Sequence, residues 1–88
     1  MKEILDSIRN SITKPLQKMN IIVDDIEFRK EGKYEFLTIT LDKINGLDLD
    51  TIVEATRLID PIINSLDISD NSYILDVISK EKGDLNNG

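Results

Sequence analysis

The side chains that could do chemistry in this 88-residue sequence are mostly carboxylates. Seventeen Asp and Glu residues stand against eleven Lys and Arg residues, and the sequence contains no His and no Cys. It therefore lacks the commonest general base, the usual zinc ligands and a thiolate nucleophile. A metal ion would have to be held by oxygen ligands alone, and a nucleophilic serine would have no histidine to activate it.

The spacing of the carboxylates does not match a metal-binding loop. An EF-hand loop that starts at Asp42 would place Ile44 at the third position, and one that starts at Asp67 would place Ile78 at the twelfth. The glycines are isolated and form neither a P-loop nor a dinucleotide-binding motif. We therefore expect no enzyme activity, no cofactor, no metal site and no small-molecule substrate.

The charge is unevenly distributed along the chain. Residues 1–44 carry eight basic and eight acidic side chains, whereas residues 45–88 carry three basic and nine acidic ones, which accounts for the net charge of -6. Arg29, Lys30 and Lys33 form the one local basic cluster beside an aromatic residue, Tyr34. This cluster has two interpretations: phosphate binding with Tyr34 stacking on a base, or an ordinary solvated turn.

Apolar periodicity predicts a helix at the start of the chain. Pro15 interrupts the pattern and predicts a kink or break near Thr13 and Lys14. The residues of the helical stripe are Ile4, Leu5, Ile8, Ile12, Leu16 and Met19.

The charged start of the chain lacks the apolar core of a signal peptide, and no stretch has the length of a membrane helix, so we expect a cytoplasmic protein without a membrane contact.

From Ile21 the apolar period changes to that of strands. Alternation predicts that Ile22, Ile26 and Phe28 share one face of a first strand, with Ile21 and Val23 on the other. A charged turn that contains Gly32 leads to a second strand, in which three apolar residues alternate with threonines, so the two strands form an antiparallel hairpin. The alternating apolar residues of the second strand are Leu37, Ile39 and Leu41.

A second helix and a last strand complete the pattern. Asp48 follows an Asn45-Gly46 turn and is a candidate N-cap for an amphipathic helix that contains Pro61. Residues 73–78 then alternate as a strand. The order α-β-β-α-β predicts an α+β two-layer sandwich: a three-stranded mixed sheet with both helices on one face, an order shared with some KH-like RNA binders.

We expect one domain over residues 1–79, with residues 80–88 as a flexible polar tail or the start of an interdomain linker.

Several segments together resemble the N-terminal domain of the bacterial ribosome maturation factor RimP family. Asn20 stands where that family usually has a turn glycine, and the family's Ser-Ser-Pro-Gly-Leu motif is absent after the last strand. The resemblance ends where the SH3-like barrel of the family would begin, so we expect a chain that lacks this second domain. The similar segments are Lys14–Asn20, Ile26–Phe28, Arg29–Gly32, Ile39–Lys43, Gly46–Asp50 and Tyr73–Val77.

The resemblance implies a non-enzymatic ribosome assembly factor that binds the immature small ribosomal subunit and aids its maturation. Its partners would be ribosomal RNA and a ribosomal protein, and the protein would be a monomer. Acidic residues that match family positions are Glu27, Asp42 and Asp76.

Two functional hypotheses follow from these observations. In the first, the basic residues of the neutral half of the chain contact ribosomal RNA: Arg29, Lys30, Lys33 and Lys43. In the alternative, the protein is an interaction or dimerisation module, because the apolar last strand, residues 73–78, would present an exposed sheet edge to a partner strand.

Overall fold

The computed structural model of the protein describes residues 2–68 and 73–80 and confirms the predicted element order. The fold is α+β, with two helices and a three-stranded mixed sheet. The elements are α1 (Lys2–Gln17), β1 (Ile22–Glu31), β2 (Tyr34–Asp42), α2 (Leu49–Ser65) and β3 (Ile74–Ser79).

The strands lie in the order β1-β2-β3, so β2 is the middle strand. β1 and β2 form an antiparallel hairpin, and β3 runs parallel to β2, with α2 as the crossover between them. Leu37 of β2 lies opposite Phe28 of β1 and Leu75 of β3. The predicted hairpin and the predicted parallel pairing are therefore both confirmed.

The core lies between the helices and one face of the sheet. Both helices contribute residues at helical spacing, and β2 contributes every second residue. Thr38 is the only buried polar residue among those the structure describes, and it belongs to the opposite face of β2. The buried apolar residues are Ile8, Ile12, Leu16, Ile21, Val23, Ile26, Leu37, Ile39, Leu41, Ala55, Ile59 and Ile63.

The predicted break at Thr13 and Lys14 is wrong, because α1 continues through Pro15 to Gln17. Pro15 lies in the last turn, where its missing N–H leaves only one carbonyl of the preceding turn without its helical donor. The neighbouring bond from the Lys18 N–H to the Lys14 carbonyl is still made, at 3.3 Å. Pro61 likewise lies inside α2 without ending it.

Asn20 ends the first helical segment in a Schellman motif. Its φ is +62°, and its N–H donates to the Gln17 carbonyl while the Ile21 N–H donates to the Leu16 carbonyl. Leu16 and Ile21, the two residues that this motif brings together, are both buried. Asn20 thus adopts the left-handed conformation that a turn glycine usually takes, which Asn tolerates.

The faces of β1 differ from the simple alternation that the sequence predicts. Val23 pairs with Leu41, but Thr40 pairs with Asp25, so the register shifts at Asp24. This β-bulge reverses the phase of the strand: Val23 is buried before it and Ile26 after it. Placing Ile22 with Ile26 was wrong, since Ile22 is 58% exposed. The Val23 carbonyl at the bulge accepts a hydrogen bond of 3.0 Å from Arg9.

Asp48 caps α2, as the sequence predicts. Its side chain accepts a hydrogen bond from the Thr51 N–H at 2.8 Å, and its backbone is extended. The preceding turn closes with the Gly46 N–H donating to the Lys43 carbonyl. The predicted tail beyond Lys80 lies outside the described residues, as do residues 69–72 between the second helix and the last strand.

The burial of the middle strand, β2, leads to the first testable prediction. Ile39 is fully buried between the two helices and its neighbours in β1 and β3. We expect Ile39→Ala to lower the free energy of unfolding by about 2 to 5 kcal/mol, because it leaves a cavity in the core. Ile44→Ala is the control, since Ile44 is 91% exposed and its truncation should change stability by less than about 0.5 kcal/mol. Urea denaturation measures both, and equal effects would contradict the assignment of the core.

The cap of α2 predicts a pH dependence at acid pH. Hydrogen bonds from the Thr51 side chain and then from its backbone N–H hold the pKa of Asp48 below its ordinary value of 3.8. A lowered pKa contributes stability above the unfolded value, and this contribution is lost as the pH falls through the folded one. We expect Asp48→Asn, which caps without titrating, to flatten the fall in unfolding free energy below pH 3.8. An unchanged pH profile would show that the cap does not titrate with folding.

Candidate interaction surfaces of the sheet

We call residues 30–34 the hairpin tip, and its turn has two residues. Glu31 pairs with Tyr34, and between them Gly32 has φ +63° while Lys33 does not have a positive φ, as in a type II′ turn. The Lys33 ammonium lies 5.8 Å from the centroid of the Tyr34 ring, which is within cation–π range. Tyr34 is 55% exposed, so the tip presents an aromatic ring and cations to solvent.

The structure brings three of the four predicted RNA-binding residues to one end of the sheet. Arg29, Lys30 and Lys33 lie at or next to the hairpin tip, whereas Lys43 follows the far end of β2. The nine residues of β2 separate the two ends by roughly 30 Å. The positive charge of Arg29 is partly offset by two carboxylates, since its Nη2 atom lies 3.7 Å from Glu31 and 3.9 Å from Asp76.

The three acidic positions that the sequence resemblance singled out all lie on the face of the sheet away from the helices, which we name the open face. Glu27 and Asp76 flank Thr38 in one row across the three strands, and Asp42 follows Thr38 at an even spacing along β2. The open face comprises Ile22, Asp25, Glu27, Arg29 and Glu31 of β1, Tyr34, Phe36, Thr38, Thr40 and Asp42 of β2, and Ile74, Asp76 and Ile78 of β3.

Two ion pairs cross the middle strand on the open face. Arg29 of β1 reaches toward Asp76 of β3, and Lys80, just after β3, lies 3.2 Å from Asp24 of β1. Outer strands of a three-stranded sheet stand about 10 Å apart, so these long side chains must extend over β2. Thr38 lies beneath this layer with 4% exposure, its hydroxyl 3.5 Å from the Asp76 carboxylate.

The open face is acidic even with these bridges. With Asp24 and Lys80 included, six carboxylates face two cations, Arg29 and Lys80. The hydrogen bond to Asp24, followed by the charges of Asp24 and Asp42, raises the pKa of Lys80 above its ordinary value. The hairpin tip and the open face therefore differ in sign, which favours phosphate at the first and disfavours it at the second.

An apolar groove runs between the start of α2 and the end of β3. Val77 and Ile78 both contribute to it. Because consecutive strand residues point to opposite faces, a groove that contacts both of them lies at the edge of the strand. Leu49, on the α2 side, is 76% exposed. The lining residues are Leu47, Asp48, Leu49, Ile52, Val77, Ile78 and Ser79.

The groove and the bridge from Lys80 were not predicted from the sequence. Leu47 and Leu49 flank the predicted cap, but an apolar residue in a loop gives no sign of what it faces. Lys80 is the first residue of the expected tail or linker, and its N–H donates to the Leu41 carbonyl at 2.8 Å, which continues the pairing of β3 with β2. Only the strand register shows that Lys80 and Asp24 meet.

Residues 2–68 and 73–80 hold no group of three carboxylates placed to bind a metal ion. Neither helix in this part of the chain is long and apolar enough to cross a membrane.

The chain matches a known protein family. The model of the RimP N-terminal domain family matches residues 11–80, which is 70 of the 88 residues. The match begins within α1 and includes both strands of the hairpin, α2 and β3. The hairpin tip, the open face and the groove all lie inside the matched region.

The turn at Gly32 gives a third prediction. Apart from Gly32 and its two chain neighbours, no residue has a heavy atom within 4 Å of the position that a Cβ would occupy there, so the glycine is required by its positive φ and not by lack of space. We expect Gly32→Ala to lower the free energy of unfolding by about 1 to 2 kcal/mol through backbone strain. Lys33→Ala is the matched control in the same turn and should have little effect on stability. Equal effects in chemical denaturation would contradict the proposed turn geometry.

Proposed function

Because the chain belongs to the RimP N-terminal domain family, we propose that it binds the immature small ribosomal subunit and aids its maturation. The match over residues 11–80 is the observation that carries this proposal, since it includes part or all of every helix and strand. The family is one of non-enzymatic ribosome maturation factors. The protein would then act by binding to an assembly intermediate, without making or breaking a covalent bond, in the cytoplasm and as a monomer.

The hairpin tip is the proposed contact with ribosomal RNA. Lys30 and Lys33 lie at the end of the sheet, where their ammonium groups can reach phosphates, with Glu35 opposite Lys30 across the hairpin. Tyr34 adds an exposed ring on which an unpaired base can stack. Arg29 also belongs to the proposed contact, but its ion pairs with Glu31 and Asp76 oppose its release toward RNA.

Lys43 is proposed as a separate contact, because it stands at the far end of β2. A distance of roughly 30 Å would allow the tip and Lys43 to touch different phosphates of one folded RNA, but not the same phosphate. The acidic open face supports an orientation in which the tip approaches RNA and the open face points away from it.

The charge of the hairpin tip gives the fourth prediction. We expect the double variant Lys30→Glu and Lys33→Glu to reduce co-sedimentation with immature small subunits on the order of tenfold at low salt, since two phosphate contacts become repulsive. The slope of log affinity against log salt should fall by about 1.5 to 2. Immature subunits from cells depleted of the protein provide the substrate for the measurement.

A matched pair separates this contact from net charge. Lys14→Glu and Lys18→Glu alter the charge by the same amount at exposed positions around the end of α1 and should reduce binding much less. Lys43→Glu, measured alone, tests the separate contact. Equal losses from the two double variants would show that total charge, and not the tip, determines binding.

A further inference from the structure

The outer edge of β3 has the geometry of a strand-binding site. Among the described residues β3 pairs on one side only, with β2. The Lys80 N–H donates to Leu41, so by the two-residue period of a strand Ile78 and Asp76 direct their backbone groups toward β2. Leu75 and Val77 then direct theirs outward. An extended segment can hydrogen-bond to such an edge and add a strand to the sheet.

The groove lies where alternate side chains of an added strand would fall. Side chains that point to the helix side of the sheet would meet Leu49 and Ile52 of α2, which line the groove together with Val77. Leu49 is 76% exposed without such a strand, and covering it would remove apolar surface from water. In strand addition the backbone supplies affinity and a pocket of this kind supplies side-chain selectivity.

The other side chains of an added strand would face the open face of the sheet. Asp76 is the charged residue of β3 on that side, and it belongs to a face where six carboxylates outnumber two cations. Both of its close contacts, with Arg29 and Thr38, are long and use the same oxygen, Oδ2. A cation opposite Asp76 is therefore favoured, and an anion there is disfavoured.

We propose that the β3 edge binds an extended polypeptide segment in which apolar and basic residues alternate. The segment forms a fourth strand, with its apolar side chains in the groove and its Lys or Arg side chains beside Asp76. This site meets the proposed RNA contact only at the Arg29–Asp76 ion pair, and neither Lys30 nor Lys33 takes part in it, so it does not depend on the binding of RNA by those two lysines.

A second copy of β3 fits the edge less well than a basic segment. In a two-fold antiparallel pairing centred on Asp76, the two carboxylates would lie directly opposite each other, which is unfavourable. A pairing centred on Val77 would place each Asp76 opposite Ile78. Neither register provides a cation for Asp76, whereas a basic segment does.

The probe for this site is the blocked peptide Lys-Val-Lys-Ile-Lys-Val-Lys, titrated into the full chain. We expect it to bind about tenfold more tightly than a Glu-Val-Glu-Ile-Glu-Val-Glu peptide of the same length. A version of the lysine peptide methylated on alternate backbone nitrogens keeps every side chain but loses the strand hydrogen bonds, so it should bind at least tenfold more weakly. In NMR spectra the Leu75 and Val77 amides should gain protection from hydrogen exchange.

Protein variants test the two halves of the site separately. Leu49→Gln should weaken the lysine peptide several-fold, and Val53→Gln, at another exposed apolar residue of α2 outside the groove lining, should not. Asp76→Asn should weaken it about three- to fivefold, and Asp6→Asn on α1 should not. Circular dichroism of each variant confirms that it is folded.

Three results would overturn the proposal. Equal binding of the lysine and glutamate peptides would show that Asp76 does not select a basic segment. Equal effects of the Leu49 and Val53 variants would show that the groove does not bind the apolar side chains of the peptide. Absence of binding by the lysine peptide, together with sedimentation that shows dimers weakened by Leu49→Gln but not by Val53→Gln, would assign the edge to a second copy of the chain. Loss of ribosome binding in the hairpin-tip variant would leave all three readouts unchanged, so the two proposals fail independently.

Discussion

Hydrogen bonding of β2 on both of its sides is the constraint on which the rest of the structure depends. As the middle strand it fixes the register of β1 and of β3, and its residues Leu37, Ile39 and Leu41 are fully buried. Strand alternation then sends Thr38 and Thr40 to the other face. Because both helices must cover the apolar face, the sheet keeps one side uncovered. The existence of an open face is thus a consequence of burying every second residue of β2.

Polar contacts on the open face replace the layer of secondary structure that covers the other side. Side chains from the two outer strands reach over β2 from opposite directions, Arg29 toward Asp76 and Lys80 toward Asp24. Exposed ion pairs of this kind contribute little stability individually. They offset only part of the negative charge, because two cations face six carboxylates, so the open face stays acidic while Lys30 and Lys33 stand at its end. In this way a strongly acidic chain can keep two lysines apart from its acidic face, at a place that a polyanion could approach.

Periodicity was sufficient to predict the class of the fold, because both helices and all three strands have a clear apolar period in the sequence. The N-cap at Asp48 and the left-handed Asn20 were predictable for a local reason: each depends on residues a few positions away. The bulge at Asp24 was missed because alternation was assumed to run unbroken, although the three-residue step from Val23 to Ile26 was a visible sign of it. The convergence of Glu27 and Asp76 could not be predicted. It depends on the register of a parallel pair joined through a helix, which no local pattern encodes.

The parallel pairing of β3 also has a kinetic consequence. Glu31 and Tyr34 meet across a two-residue turn, whereas Thr38 and Asp76 are 38 residues apart in the sequence. Closing the longer loop costs more chain entropy and requires α2 to be in place, so the hairpin can form early while β3 docks late. By the same reasoning β3 is the strand that detaches first from the native sheet, and its departure would uncover the β2 edge while the hairpin stays intact. The strand that offers the binding edge is then the least firmly anchored of the three, which would let the addition of a partner strand complete the folding of the sheet.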